Sequence, residues 1–434
     1  MQQRTRTSLV AGACAAAVLL TGGAARADGN LSSGEFKLRV GGYAELTAAY
    51  FDHDQNQNQP GGARADHRVE LDTTRLVAEV EALGPHGLEL EVEFEFEHGG
   101  VGAAREIEYD EFGEFETEVE KGGEIVLEEF ALKKTWGRYQ LVAGRFYVPV
   151  GMLSYYYKPT DYLGSVRSEA ETTVLPAQWD EFGVAFNVWL PRARLTAALV
   201  NGLDSSGFGS RYWIASGHQG AYEVTRARDV AVAARLDVDV TPALEVGVSG
   251  YVGGTNNRPK PDLIDEQCAD PDESAAAPCG YVHAPVVIGD VHARYDGGRV
   301  RAMAWGMVGH LDKAARISAR NARLSNEAGV DRTPVGDNAL ALAAEIGVDL
   351  GPSLGLCPDH RLEPFARVDY YDTMFAPRAD LFDNPRFERL VLGAGVAYRV
   401  GKGLIGKLDV SRRSFGDGAL RTEHEVRTTL GVWF

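Results

Sequence analysis

The stretch LELEVEFEFE, residues 88–97, decides the fold class: Leu88, Leu90, Val92, Phe94 and Phe96 alternate with Glu89, Glu91, Glu93, Glu95 and Glu97. A strand sends successive side chains to opposite faces and sorts this string into one apolar and one acidic face. A helix would mix the two sets around its circumference. Alone, the stretch would suit a soluble sheet with its glutamates in water. Recurrence changes that reading. The chain ends on the same period, with Val426, Thr428, Leu430, Val432 and Phe434 alternating with Glu425, Arg427, Thr429, Gly431 and Trp433.

Following this period outward predicts strands near residues 36–51, 67–83, 87–98, 124–136, 138–146, 180–190 and 193–201. Others are predicted near 229–241, 243–253, 286–296, 299–311, 338–350, 361–372, 387–400, 403–414 and 422–434. The count is about sixteen. Near Glu128 and Glu129 the alternation changes phase, which predicts a bulge and leaves Lys133 and Lys134 without an assigned face.

The connections alternate in length. Gly84-Pro85-His86, Leu190-Pro191-Arg192, Asp296-Gly297-Gly298 and Val400-Gly401-Lys402-Gly403 are turns, while long polar stretches span 52–66, 99–123, 147–179, 202–228, 254–285, 312–337 and 373–386. Short turns on one side and long loops on the other, joined by strands with an apolar stripe, describe an all-β transmembrane antiparallel β-barrel of the bacterial outer membrane. A terminal Phe434 on such a strand fits an assembly signal for that membrane. Closure is required because lipid cannot satisfy an open sheet edge. A barrel of about sixteen strands is wide enough to enclose water, so the expected function is passage of small hydrophilic solutes rather than catalysis.

The N-terminus reads as a secretory signal over residues 1–27: Arg4 and Arg6, an apolar run from Leu9 to Leu20, then small residues before Asp28. Cys14 lies inside the apolar run and is a weak lipidation match. The remainder, 28–434, forms one barrel domain. The formal charge is -18, and removing 1–27 takes three arginines and no acid, giving -21. Nucleic acid is excluded as a natural partner. Cys268 and Cys279 flank a polar segment and are expected to form a loop disulfide in an oxidising compartment, with Cys357 left as an ordinary turn residue.

From Arg138 to Ser206 the chain resembles the phosphate-selective porin O/P family. The residues that carry the likeness are Thr74-Arg75-Leu76 with the strand after it, Gly144-Arg145-Phe146 with Pro149, Trp179-Asp180-Glu181-Phe182-Gly183-Val184, and Asn201-Gly202. The resemblance implies a sixteen-stranded barrel in outer-membrane lipid, assembled as a homotrimer, whose third long loop narrows the lumen. It also implies basic residues that attract phosphate or other inorganic anions. Here that loop is 147–179.

Candidate constriction residues are Arg145, Tyr155, Tyr156, Tyr157, Lys158 and Arg167, although Asp161, Glu169, Glu171 and Asp180 accompany them. Tyr155, Tyr156 and Tyr157 fit either stiff constriction side chains or a membrane-interface belt. Strand phase assigns Arg367, Arg389, Arg399, Lys407, Arg413 and Arg427 to the lumen wall, facing an acidic arc of Glu89, Glu91, Glu93, Glu95 and Glu97. The acidic run from Glu106 to Glu120 lacks calcium-loop spacing and reads as a solvated face. The ten histidines stand singly, and no nucleophile or metal motif marks an enzyme or a cofactor site.

Overall fold

The computed structural model describes residues 31–33, 36–53, 66–109, 115–219, 224–256, 280–324 and 330–434. The strands are β1 (Leu31–Ser33), β2 (Phe36–His53), β3 (Asp66–Leu83), β4 (Leu88–Tyr109), β5 (Phe115–Trp136), β6 (Tyr139–Tyr147), β7 (Asp180–Leu190), β8 (Ala193–Asn201) and β9 (Val230–Thr241). They continue with β10 (Leu244–Gly253), β11 (Val286–Asp296), β12 (Val300–Leu311), β13 (Asn338–Val348), β14 (His360–Asp372), β15 (Glu388–Val400), β16 (Leu404–Phe415) and β17 (Glu423–Trp433). From β2 to β17 each strand pairs antiparallel with the next, and β17 returns to β2, so sixteen strands close a barrel. The short β1, which the alternation did not signal, only folds back on the start of β2.

The seam runs from the pair His424 and Asp52 to the pair Trp433 and Tyr43. It ends where the backbones of Phe434 and Gly42 exchange hydrogen bonds of 3.1 and 3.0 Å. Sealing the seam leaves no unpaired edge for lipid to meet. No helix among the described residues is long and apolar enough to cross a membrane, and the outer belt is carried by strands. Leu71, Leu199, Val291, Val308, Leu342 and Leu408 are exposed on it, whereas Glu93, Glu95, Asp290, Asp369, Lys407 and Glu425 are buried inside. Trp136 and Tyr139 gather on Phe186 near the short turns, with ring centroids 6.2 and 5.9 Å away, as in an interfacial girdle.

Two expectations change and one is met. Residues 99–123 do not form a loop throughout: β4 runs to Tyr109 and β5 starts at Phe115, each 22 residues long, with register shifts on either side of Gly102. Glu106 and Glu108 in β4, and Glu116, Glu118 and Glu120 in β5, are spaced by two, which is the period of a strand rather than a plain charge run. The bulge at Glu128 is present, since Glu93 pairs with Glu129 and Phe94 with Leu127. It turns Lys133 toward Glu91 and Glu129, while the Lys134 ammonium bonds the His86 carbonyl. Cys357 is disulfide-bonded rather than an unpaired turn residue. Thiol pairing follows the path of the chain in space, not the order of cysteines along it. Residues 1–27, Cys268 and Cys279 lie outside the described residues.

The interior is filled unevenly. Val150, Met152, Val174 and Leu175 from the third long loop pack with Phe208, Trp213 and Ile214 from the fourth and Ile317 and Val335 from the sixth. This apolar mass rests on Ala198, Ala233, Tyr251, Ile288, Trp305 and Met307 of the wall from β8 to β12. Trp213 fits because Gly309 has no side chain: a Cβ there would sit 2.0 Å from its ring. The arc from β14 through β17 to β4 keeps polar walls.

Gly144 in β6 has φ 130°, and a Cβ there would lie 2.3 Å from the Phe130 carbonyl oxygen. Gly144→Val should therefore cost roughly 1–3 kcal/mol in strain. The folded, heat-modifiable band on a denaturing gel should disappear at a lower temperature than for the wild type; an equal transition would show that the position is not strained.

Candidate functional site

The third long loop enters the barrel at Val148, whose N–H bonds the Trp179 carbonyl at 2.7 Å and draws the two ends of the loop together. An irregular segment inside a barrel must find partners for its peptide groups, and here wall side chains supply many of them. The loop bonds side chains on β2 to β4 and on every strand from β8 to β17.

Near its start, Gly151 N–H lies 3.2 Å from both Ser249 Oγ and Asp290 Oδ2, and the Arg235 guanidinium holds the Gly151 carbonyl. The three tyrosines then turn onto the inner wall, not onto the membrane interface. Tyr155 hydroxyl meets Thr196 Oγ1 at 3.2 Å, Tyr156 donates to Glu245, and Tyr157 reaches Glu93 at 3.4 Å. Arg301 binds the carbonyls of Thr160 and Asp161 at 3.1 and 3.0 Å, and Tyr162 donates to Glu45 at 2.8 Å.

From Leu163 to Ala170 the main chain is gripped almost residue by residue. Glu345 accepts from Leu163 N at 2.9 Å, Lys407 donates to the Gly164 carbonyl at 2.8 Å, and Thr429 donates to the Ser165 carbonyl at 3.0 Å. Asp409 accepts from Ser165 N. Beyond this turn lies the short helix Glu169–Val174, capped by the Ser168 hydroxyl.

Between this turn and the polar arc lies a cavity of about 330 Å³. Six arginines line it (Arg75, Arg167, Arg211, Arg389, Arg413 and Arg427) against two glutamates, Glu45 and Glu169. Some of that charge is compensated. Arg75 pairs with Glu45 and Glu95 at 3.2 and 3.1 Å, Arg413 with Glu169 at 2.7 Å and with Glu423, and Arg427 with Glu425 at 2.6 Å. Burial would raise the Glu169 carboxyl, but Arg413 holds it well below the ordinary range.

Arg167 differs. It is buried and bonds only neutral acceptors: the Tyr157 carbonyl at 3.2 Å, Gln178, and the Tyr43 hydroxyl at 3.4 Å. Among the described residues neither Arg167 nor Arg211 has a carboxylate within ion-pair distance. A buried cation with neutral partners keeps a field that exposed, screened charges lose.

The residues named from sequence thus separate. Arg167, Arg389, Arg413 and Arg427 line the chamber. Arg145 is paired with Asp180, and Lys158 with Glu79 beside the Trp433 ring, so neither faces it. Arg367, Arg399 and Lys407 spend donors on loop carbonyls. Glu91 meets Lys133, Glu93 meets Tyr147, and Glu95 and Glu97 meet Arg75. Glu89 pairs across β4 and β5 with Lys133 at the short-turn end. Arg75 was not singled out as a chamber residue, although it shares a strand face with Val77 and Glu79 and was within reach of the two-residue period. Tyr43, in the strand predicted near 36–51, was within reach of the same period, whereas Arg211 and Gln178 lie in loops and had no comparable signal.

The barrel has known counterparts. The chain has the fold of outer-membrane porins. DcaP, an outer-membrane channel of Acinetobacter baumannii, matches with TM-score 0.51 and 13% identity over 93% of this chain and 99% of that one. OmpF of Salmonella typhi matches with TM-score 0.51 and 10% identity over 92% and 98%. OmpT, an outer membrane protein of Vibrio cholerae, matches with TM-score 0.51 and 9% identity over 93% and 99%. No family model and no curated protein sequence matches the chain, so the resemblance to the phosphate-selective family rests on the residues quoted for it.

Within the loop, burial pushes the Glu171 carboxyl up to about 8, against a bond from Leu153 N and with added repulsion from Asp290. The folded state therefore holds this proton more tightly than the unfolded chain, and the stability it confers is full below about pH 4.5 and drains away as pH rises to about 8. Glu171→Gln, which is always neutral, should remove that component. The difference in unfolding temperature between variant and wild type should grow across this window, and a constant difference would refute the assignment.

Proposed function

We propose that the protein is a passive outer-membrane channel for small hydrophilic solutes that favours anions. The observation that supports this most directly is the chamber beside the inward loop, where arginines outnumber carboxylates and the buried Arg167 has no carboxylate partner among the described residues. A guanidinium offers planar donors to carboxylate and phosphate oxygens alike. Inorganic phosphate is thus one candidate, and the cavity volume also suits small organic anions. The acidic arc from Glu89 to Glu97 adds little transverse field to this reading, because Glu91 is paired with Lys133 and Glu95 and Glu97 with Arg75. The resemblance to the phosphate-selective family supports a homotrimer in outer-membrane lipid. Lys158 and Arg145, neutralised by Glu79 and Asp180, are given no selective role in this reading.

A second reading is a barrel that does not conduct. It draws on the apolar mass that fills one side of the interior and on the loop that spans the lumen. The purified protein in a planar bilayer under a potassium chloride gradient separates the two: stepwise currents support the channel, and silence across many insertions supports occlusion. For a channel, the reversal potential should lie on the anion side. Arg167→Glu should shift it toward cations by the equivalent of about 1 kcal/mol, roughly fivefold in permeability ratio. An unchanged ratio would remove Arg167 from the selectivity mechanism.

A further inference from the structure

Arg367 was read as part of the basic arc on the lumen wall, yet it is absent from the lining of the chamber. Its guanidinium is engaged on all three nitrogens. Nη1 donates to the Val166 carbonyl at 2.6 Å, Nη2 to the Arg167 carbonyl at 2.6 Å, and Nε to Asp369 Oδ2 at 2.6 Å. Asp369, two residues on and on the same strand face, accepts from the Ser168 hydroxyl and from Ala170 N at 3.3 Å. The pair therefore grips the main chain on both sides of the Arg167 side chain. Gly164 is what lets the loop come this close, since a Cβ there would stand 2.7 Å from Arg367 Nη1.

We infer that Arg367 is a positioning residue: together with Asp369 it fixes residues 166–170 so that Arg167 presents its charge to the chamber, while its own charge does not select ions. The inference rests on the anion-channel reading. It also separates Arg367 from Arg389, Arg413 and Arg427, which share its wall but face the cavity. Geometry, not charge, is the working property. A lysine would keep the charge but cannot reach two carbonyls and a carboxylate with one planar fork.

The test compares reversal potential and open-channel noise of the full-length protein in planar bilayers for Arg367→Lys, Arg367→Gln, Gly164→Ala, Arg167→Gln and the double variant Arg167→Gln/Arg367→Lys. Each is first checked for a folded, heat-modifiable band. Arg367→Lys should lose anion preference to the level of Arg167→Gln, despite unchanged formal charge, and should carry noisier current. The double variant should lose no more than Arg167→Gln alone. Gly164→Ala, which crowds the same contact without touching any charge, should move in the same direction. If Arg367→Lys keeps the wild-type ratio while Arg367→Gln loses it, Arg367 acts as wall charge and the inference is wrong. If Arg167→Gln leaves the ratio unchanged, the selective role that the anion-channel reading gives Arg167 fails instead. Quiet currents from Arg367→Lys in that case overturn the anchoring as well.

Discussion

Hydrocarbon offers no hydrogen-bond partner, and this one constraint organises the whole molecule. It forces every spanning peptide group into a ladder, and so forces β17 to find β2 and the backbone of Phe434 to pair with that of Gly42. Once the ring is closed, side chains have only two places to go. Apolar ones must face lipid, and charged ones gather inside, where they sit close together at low dielectric and must pair with one another or with a segment brought in from outside the ring.

The inward loop answers that second demand. Its peptide groups need partners as much as the wall charges do, and each supplies the other. Lys407, Arg399, Arg301 and Arg367 donate to its carbonyls, while Glu345, Asp409 and Asp290 accept from its N–H groups. The count of arginines on a porin-like wall therefore overstates the charge a solute would meet. Much of that charge is already committed to holding the loop, and the selectivity proposed for the chamber depends on the few side chains, Arg167 above all, that the loop and wall leave without a carboxylate.

Filling one side of the interior with apolar side chains has a mechanical consequence. Trp213, seated against Gly309 and donating to the Gly336 carbonyl at 3.1 Å, ties the fourth and sixth loops to the wall. The third loop packs against this mass through Val174 and Leu175. The loop is thus pressed between an apolar bed and a polar clamp. Its turn at 163–170 faces the open arc, where the cavity lies.

The barrel was legible in the sequence because strand alternation and the apolar belt are local, two-residue rules that survive at every stave. The phase of Arg389, Arg413 and Arg427 could be read the same way. The extension of β4 and β5 was missed only because a glutamate run was taken as a charged loop. Other facts depended on where distant segments meet: that Lys158 and Arg145 are neutralised, that Arg167 is not, that Arg211 reaches the chamber, and that Cys357 is bonded. A loop has no period to fix its path. Its position inside the ring is set by contacts with strands up to hundreds of residues away, and those contacts decide which charges remain for a solute. By itself, therefore, the sequence determined a closed barrel and which face of most strands points inward, the strand with Lys133 and Lys134 excepted. Only the tertiary structure decided which inward charges are spent on the loop, because that depends on the partners each side chain meets across the lumen.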